Sequence, residues 1–191
     1  MSLFGPIYDR VLRWSRHEAA PWYLAGLSFA ESSFFPVPPD VMLAPMCLAR
    51  PERAMRFALI TSLASVIGGL AGYAIGYFAI DLAEPLIRDF GYWENYQRVQ
   101  EWFGDWGFWA VFIAGFSPIP YKLFTIAAGA MGMPLAGFVL ASVTGRSSRF
   151  FLVAGLIRWG GPAMEHSLRR HIDTIGWTCV ALLAVAFLYF R

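Results

Sequence analysis

Five charged residues interrupt or border long apolar stretches of this chain, and they are its main candidates for a functional role: Glu31, Asp40, Lys122, Arg146 and Arg149. Carboxylates held at bilayer depth without a partner are groups that load and release protons near working pH. Lysine and arginine in such places bind a phosphate or a carboxylate. The alternative interpretations are structural: the carboxylates cap helices or form fixed ion pairs, and the arginines snorkel to the interface.

The cations allow more specific expectations. Lys122 either pairs with Asp40 and yields to an anionic headgroup, or holds the two regions together as a static salt bridge. Arg146 and Arg149 lie three residues apart and therefore share one helix face. Two guanidinium groups within a membrane span are costly unless they face a cavity, a carboxylate or a phosphate.

Two proline elements position these charges, and their loop-shaping residues are Pro36, Pro38, Pro118 and Pro120. Proline lacks an N–H and clashes with the preceding turn, so a Pro-x-Pro element ends a helix and leaves carbonyl groups without partners. At membrane depth such carbonyls survive only where protein or a wet cavity surrounds them. The two elements therefore predict two broken loops that face each other across a binding site.

The composition predicts an integral membrane protein of about one domain. Of the 191 residues, 58% are hydrophobic and 15% are charged, with a mean hydropathy of +0.51. Uncharged runs cover residues 57–80, 123–145 and 174–190, and the longest of them suffice to cross a hydrocarbon core of roughly 30 Å. The net charge of +2 and the lack of a basic run interleaved with aromatic residues argue against nucleic acid as a partner.

In the first half of the chain, residues 1–18 are predicted to form an amphipathic helix that lies in the membrane interface. Residues 19–49 are predicted to enter the membrane and turn back at the proline break, since the apolar segment before the break is too short to cross. Residues 57–80 then cross once. Four glycines on this span predict a face that packs closely against other helices, namely Gly68, Gly69, Gly72 and Gly76.

In the second half, residues 81–105 carry six acidic residues against two arginines, which predicts an external segment whose aromatic residues keep it at the interface. Residues 107–134 form the second predicted re-entrant loop, and residues 135–157 cross back. The remaining residues, 160–191, are predicted to be a connector and a C-terminal transmembrane helix, which places the membrane domain at 19–159.

An internal repeat relates the two loops. A shift of 82 residues places Pro36 on Pro118, Pro38 on Pro120 and Asp40 on Lys122. Because one crossing separates the two copies, the second copy is predicted to be inverted relative to the first, as in many secondary transporters. The predicted fold class is an all-α polytopic membrane protein built from an inverted repeat of a re-entrant loop plus a transmembrane helix.

The motifs resemble those of the DedA family, also known as VTT or SNARE-associated membrane proteins. The resemblance lies in Glu31 with the Pro-x-Pro and Asp40, and in the sequence Phe-Ser-Pro-Ile-Pro-Tyr-Lys that ends at Lys122. The tracts 115–129 and 145–151 are similar to those of the YqaA-like branch. The resemblance implies a protein of the bacterial inner membrane that translocates a lipid carrier, such as undecaprenyl phosphate or a phospholipid, with dependence on protons.

The resemblance also implies roles for individual residues. Glu31 and Asp40 match the acidic pair of the first loop in that family. The basic pair around the second loop departs from the family pattern, because Phe116 occupies the first position and Lys122 is the nearby candidate for the second. Arg146 or Arg149 is expected to supply the missing cation.

An enzymatic function has little support in the sequence, and no catalytic residue, metal site or cofactor is predicted. His17, His166 and His171 lack metal-ligand spacing, and no Ser-His-acid arrangement is visible. Cys47 and Cys179 lie in apolar runs and are expected to be inert. Two other functions stay open at this point, a membrane-embedded enzyme on lipid phosphates and an assembly or homeostasis factor without transport. A homo-oligomer is also compatible with the sequence.

Overall fold

The computed structural model describes residues 15, 17–35, 37–117 and 119–160. Most of the predicted interfacial helix, the connector and C-terminal span at 161–191, and the loop-shaping residues Pro36 and Pro118 lie outside the described residues. All regular structure within the described ranges is helical, which agrees with an all-α fold.

Six α-helices follow one another along the described chain: α1 (Ala20–Ser33), α2 (Asp40–Ala49), α3 (Ala54–Asp89), α4 (Trp93–Phe116), α5 (Tyr121–Ala130) and α6 (135–160). A 3₁₀ turn at Pro51–Arg53 joins α2 to α3. The order of a helix, a proline break, a ten-residue helix and a long helix thus occurs twice. Re-entry into a bilayer and inversion of the second copy stay predictions.

Prolines and one glycine set the helix ends. Pro21 lies in the first turn of α1, where its missing N–H costs nothing. Pro39 and Pro120 immediately precede α2 and α5. Gly132 has a φ of +69°, a conformation that glycine adopts without strain, and it turns the chain from α5 toward Pro134 at the start of α6.

The predicted span at 57–80 lies within α3, and the helix itself continues to Asp89 over 36 residues. At about 1.5 Å per residue this helix is roughly 54 Å long, well beyond a hydrocarbon core of about 30 Å. The acidic segment 81–105 therefore comprises the end of α3, a turn at Gly91 with a φ of +73°, and the first half of α4. An ion pair between Glu84 and Arg88 at i,i+4 spacing lies on this extension.

Within the described residues, the segment 51–89 is the one helix long and apolar enough to cross a membrane. The helix predicted at 135–157 is present in α6, but Arg146 and Arg149 lower its mean hydropathy. Its crossing of the membrane stays a prediction.

The long helix α3 lies at the centre of the fold, and its glycines bring neighbouring helices into backbone contact. A Cβ atom at Gly68 would overlap the carbonyl oxygen of Phe29 on α1, and one at Gly76 would overlap that of Ile126 on α5. At Gly72 a Cβ atom would collide with the hydroxyl of Thr125 on α5. The predicted small-residue face is thus confirmed, and it lets α1 and α5 approach α3 side by side.

Two buried clusters flank this centre. One is formed by α1, α2, α3 and the second half of α6, and the other by α4, α5 and the first half of α6. Large apolar side chains cover much of the outer surface, including Trp22, Leu63, Phe78, Leu123 and Leu156. Such an extensive apolar exterior suits a protein whose surroundings are themselves apolar.

Candidate functional site

The end of α1 is tied to the middle of α6 by an ion pair. Arg146 donates from one terminal nitrogen to a carboxylate oxygen of Glu31. The side chains are only 3% and 13% exposed, respectively. A pair this deeply enclosed is stable only when further hydrogen bonds satisfy its remaining polar atoms.

Hydroxyl groups and aromatic rings supply that support around Arg146. Its Nε donates to Ser65 of α3, and the same nitrogen that binds Glu31 also lies 3.3 Å from the hydroxyl of Ser32. The hydroxyls of Ser32 and Ser65 are 2.7 Å apart. The guanidinium carbon lies 4.8 Å from the ring centre of Tyr121 and 4.7 Å from that of Phe150, within cation–π range.

A second ion pair joins α2 to α6. Arg149 donates to Oδ2 of Asp40 at 2.6 Å and to the backbone carbonyl of Ser117 at 2.5 Å. Asp40 opens α2 just after the first proline break, and Ser117 follows the last residue of α4 at the second break. One arginine therefore connects both breaks, and it donates to a carbonyl at the C-terminal end of α4, where intrahelical donors are lacking.

Lys122 lies in the first turn of α5, next to these pairs. It forms no ion pair within the described part of the chain, whereas Asp40 is held by Arg149. The expected pair between Asp40 and Lys122 is thus not formed. The reason is geometric, since the forked guanidinium of Arg149 reaches the carboxylate and the Ser117 carbonyl together, which a single ammonium does less well.

All five charged residues line one cavity of about 520 Å³ between the two proline breaks: Glu31, Asp40, Lys122, Arg146 and Arg149. Six apolar residues complete its wall: Phe35, Pro38, Pro39, Ile119, Pro120 and Val153. Three cations against two carboxylates leave one net positive charge when all are ionised. The cavity can thus hold a molecule with an anionic end and an apolar body.

The structure brings together every charged residue that the sequence singled out, and Pro38 and Pro120 lie beside them. Whether these residues carry the activity stays a prediction. Sequence reasoning missed Ser32, Ser65 and Tyr121, which hold Arg146 in place. A usable signal was present in α1 and α3, where hydroxyl residues recur at helical spacing on otherwise apolar helices.

No cluster of three or more potential metal ligands occurs in the ranges that the structure covers. Cys47 is a free, buried thiol within the cluster of α1, α2, α3 and α6. Among the described residues, the charged groups that line the cavity are two carboxylates bound to arginines, those two arginines, and one lysine. With its excess of cations, the arrangement is suited to binding an anion.

The apolar exterior, the long central helix and the charged cavity between two broken helix pairs are features that a helical membrane protein would have. The sequence model of the VTT domain matches residues 34–158, well over half of the chain. The chain therefore belongs to the VTT-domain family, also called the DedA family, which confirms the resemblance seen in the motifs.

Comparison with individual proteins agrees with this family. A protein of Haemophilus influenzae, described as uncharacterised, is 46% identical over 187 residues, which cover 98% of this chain and 97% of the relative. A homologue from Histophilus somni is 44% identical over the full length of both chains. Undecaprenyl phosphate transporter A of Staphylococcus aureus is 29% identical over 143 residues, 69% of this chain and 68% of that protein. No solved structure matches the chain.

Proposed function

We propose that this protein moves a lipid with a phosphate headgroup across the bacterial inner membrane, with a polyprenyl phosphate or a phospholipid as the cargo. The observation that carries the proposal is the cavity in which three cations and two carboxylates meet an apolar wall. A phosphate group requires cationic donors, and its lipid tail requires apolar surroundings. The name of the similar staphylococcal transporter supports a lipid phosphate as the cargo.

Lys122 is the cavity cation that forms no ion pair among the described residues, and it gives the headgroup its first contact. Lys122 faces the cavity without a carboxylate partner, so an incoming phosphate does not have to displace one from it. Arg146 and Arg149 lie across the same cavity. The headgroup then sits between Lys122 and the arginine face of α6, while Glu31 or Asp40 takes up a proton as its arginine turns to the phosphate.

An inverted repeat gives this cavity a route to both sides of the membrane. In such a repeat α1, α2 and α3 correspond to α4, α5 and α6, and the packing of the helices supports the correspondence. Gly68 of α3 lies against α1, and Gly145 of α6 lies against α4, where a Cβ atom would be 2.6 Å from the carbonyl oxygen of Phe112. Each proline break then gates one side, and alternate opening of the two breaks transfers the headgroup.

Lipid translocation in proteoliposomes tests the proposal. Wild-type protein is compared with Asp40→Asn and Lys122→Gln, using fluorescent phospholipid and a fluorescent polyprenyl phosphate, with and without an imposed pH gradient. Both substitutions are expected to lower the rate by roughly tenfold or more, the scale of one lost charge-assisted hydrogen bond. A proton-coupled cycle is expected to respond to the gradient.

The controls remove one carboxylate and one cation outside the cavity. Asp89→Asn and Arg98→Gln alter exposed residues near the turn between α3 and α4 and are expected to keep the wild-type rate. A wild-type protein that moves neither lipid would contradict the proposal. Release of inorganic phosphate from the polyprenyl phosphate would favour a membrane-embedded enzyme instead.

A further inference from the structure

We propose that the two ion pairs of the cavity have separate roles. The pair between Arg146 and Glu31 stays closed and positions α6, whereas Arg149 exchanges Asp40 for the anionic headgroup and binds it together with Lys122. The headgroup half of this inference rests on the proposed function. The distinction between a fixed and an exchangeable pair rests on the geometry of the two arginines.

Arg146 has little freedom to leave its position. Its side chain is 3% exposed, and its donors are directed at partners on two other helices, Glu31 and Ser32 on α1 and Ser65 on α3. The rings of Tyr121 and Phe150 are within cation–π range. If Arg146 moved toward a ligand, Glu31 would lose its ion-pair partner. The Glu31 side chain is only 13% exposed, and an uncompensated buried charge is strongly destabilising.

Arg149 is held more loosely. It is 19% exposed and Asp40 is 25% exposed, and no ring within the described residues lies over its guanidinium in cation–π range. Among the described residues it donates to two oxygen atoms, one of the Asp40 carboxylate and one of the Ser117 carbonyl. Two phosphate oxygens can accept the same two donors, since guanidinium binds carboxylate and phosphate in the same forked geometry.

Asp40 is poised for this exchange. Its Oδ2 accepts the hydrogen bond from Arg149, while its Oδ1 is buried and has no hydrogen-bond partner among the described atoms. An ionised carboxylate with one satisfied oxygen is bound less completely than it could be. Opening the Arg149–Asp40 pair thus costs less free energy than opening the Arg146–Glu31 pair. Lys122 lines the same cavity, where the phosphate would bind.

Chemical labelling of the wild-type protein tests the distinction without any transport assay. The full chain, purified in detergent, is treated with the arginine reagent phenylglyoxal, and the labelled peptides are quantified by mass spectrometry. Arg149 is expected to react about tenfold faster than Arg146 or more, and saturating farnesyl phosphate is expected to protect Arg149. Equal labelling rates, or protection by farnesyl phosphate that falls on Arg146, would overturn the assignment.

Two double variants keep the net charge of the cavity constant and separate the roles kinetically. Asp40→Asn with Arg149→Gln is expected to raise the apparent KM for farnesyl phosphate by about tenfold or more, because it removes a headgroup contact. Glu31→Gln with Arg146→Gln is expected to lower the maximal rate and the melting temperature while KM stays within about threefold of wild type. An equal rise in KM for the second variant would refute the positioning role of Arg146.

The outcomes also separate this inference from the proposed function. If Arg149 labels faster but farnesyl phosphate and phospholipid neither protect it nor are transported, the proposed function and the headgroup half fail, while the fixed pair is supported. If lipid phosphate is transported but the two arginines label alike, the proposed function stands and the division of roles is wrong.

Discussion

Two glycines in the contact between α3 and α5 allow a quantitative prediction of the stability lost when each is replaced by alanine. A Cβ atom at Gly76 would overlap the carbonyl oxygen of Ile126, and one at Gly129 would overlap the carbonyl oxygen of Tyr73. The obstacle is backbone in both cases, so it cannot be relieved by turning a side chain. We therefore expect Gly76→Ala and Gly129→Ala each to push the two helices apart.

The magnitude follows from two opposing terms. Overpacking a tight contact costs about 1 to 3 kcal/mol, and a rigid backbone obstacle places these sites near the upper value. Alanine in place of glycine within a helix returns about 1 kcal/mol. The net loss is about 2 kcal/mol for each substitution, which corresponds to a fall in melting temperature of about 4 to 8 °C for a chain of this size.

Thermal unfolding of the purified protein in detergent, followed by tryptophan fluorescence, measures this shift. Gly104→Ala in α4 and Gly26→Ala in α1 are matched controls, because a Cβ atom at either site meets nothing within 4 Å. Both controls are expected to leave the melting temperature unchanged or to raise it slightly. Since Gly76 and Gly129 share one interface, the double variant is expected to lose less than the sum of the single losses. Melting temperatures for Gly76→Ala and Gly104→Ala that agree within error would refute the argument.

Two further predictions concern hydroxyl groups. Ser65→Ala removes the acceptor of the Arg146 Nε donor and is expected to destabilise the protein by about 1 to 3 kcal/mol. The control Ser62→Ala loses only a hydrogen bond within its own helix and should stay within about 0.5 kcal/mol of wild type. Urea or thermal denaturation measures the difference between the two variants. Tyr96 donates to the carbonyl of Ala130, and burial raises the pKa of its phenol, so its contribution to stability is present below pH 10 and is lost as the pH rises through the higher folded pKa. The melting temperature of wild type should accordingly exceed that of Tyr96→Phe near neutral pH, and the difference should shrink above pH 10; a difference that does not change with pH would count against this assignment.

Local chemistry explains why much of the fold could be predicted from the sequence. Proline removes a backbone donor wherever it occurs, so the two breaks and the short helices after Pro39 and Pro120 follow without knowledge of the tertiary structure. Glycines at i,i+4 spacing, such as Gly68 and Gly72, predict close helix contact in the same way. These inferences need only a few neighbouring residues.

Features that depend on long-range packing were not predictable to the same degree. The continuation of α3 to Asp89 passes Pro85 and several charges, so the end of this helix could not be read from the end of the apolar run at residue 80. The carboxylate partner of each arginine could not be predicted from the sequence for a related reason. Spacing places Arg146 and Arg149 on one face of α6, but only the rotation of α6 against α1 and α2 decides which carboxylate each one meets.

Because of that rotation, two ion pairs of unequal burial hold the first proline break against α6. Glu31 lies before the break and Asp40 after it, and each is bound to α6 by an arginine one turn from the other. Any movement of the break relative to α6 has to open at least one of the two pairs. Arg146 is enclosed by rings and hydroxyl groups, whereas the side chains of Arg149 and Asp40 are 19% and 25% exposed. The Asp40 end is therefore the end that can open without leaving a buried charge uncompensated. The break would then hinge at Glu31 and swing α2, so that exchange at Arg149 and motion of the break become one event.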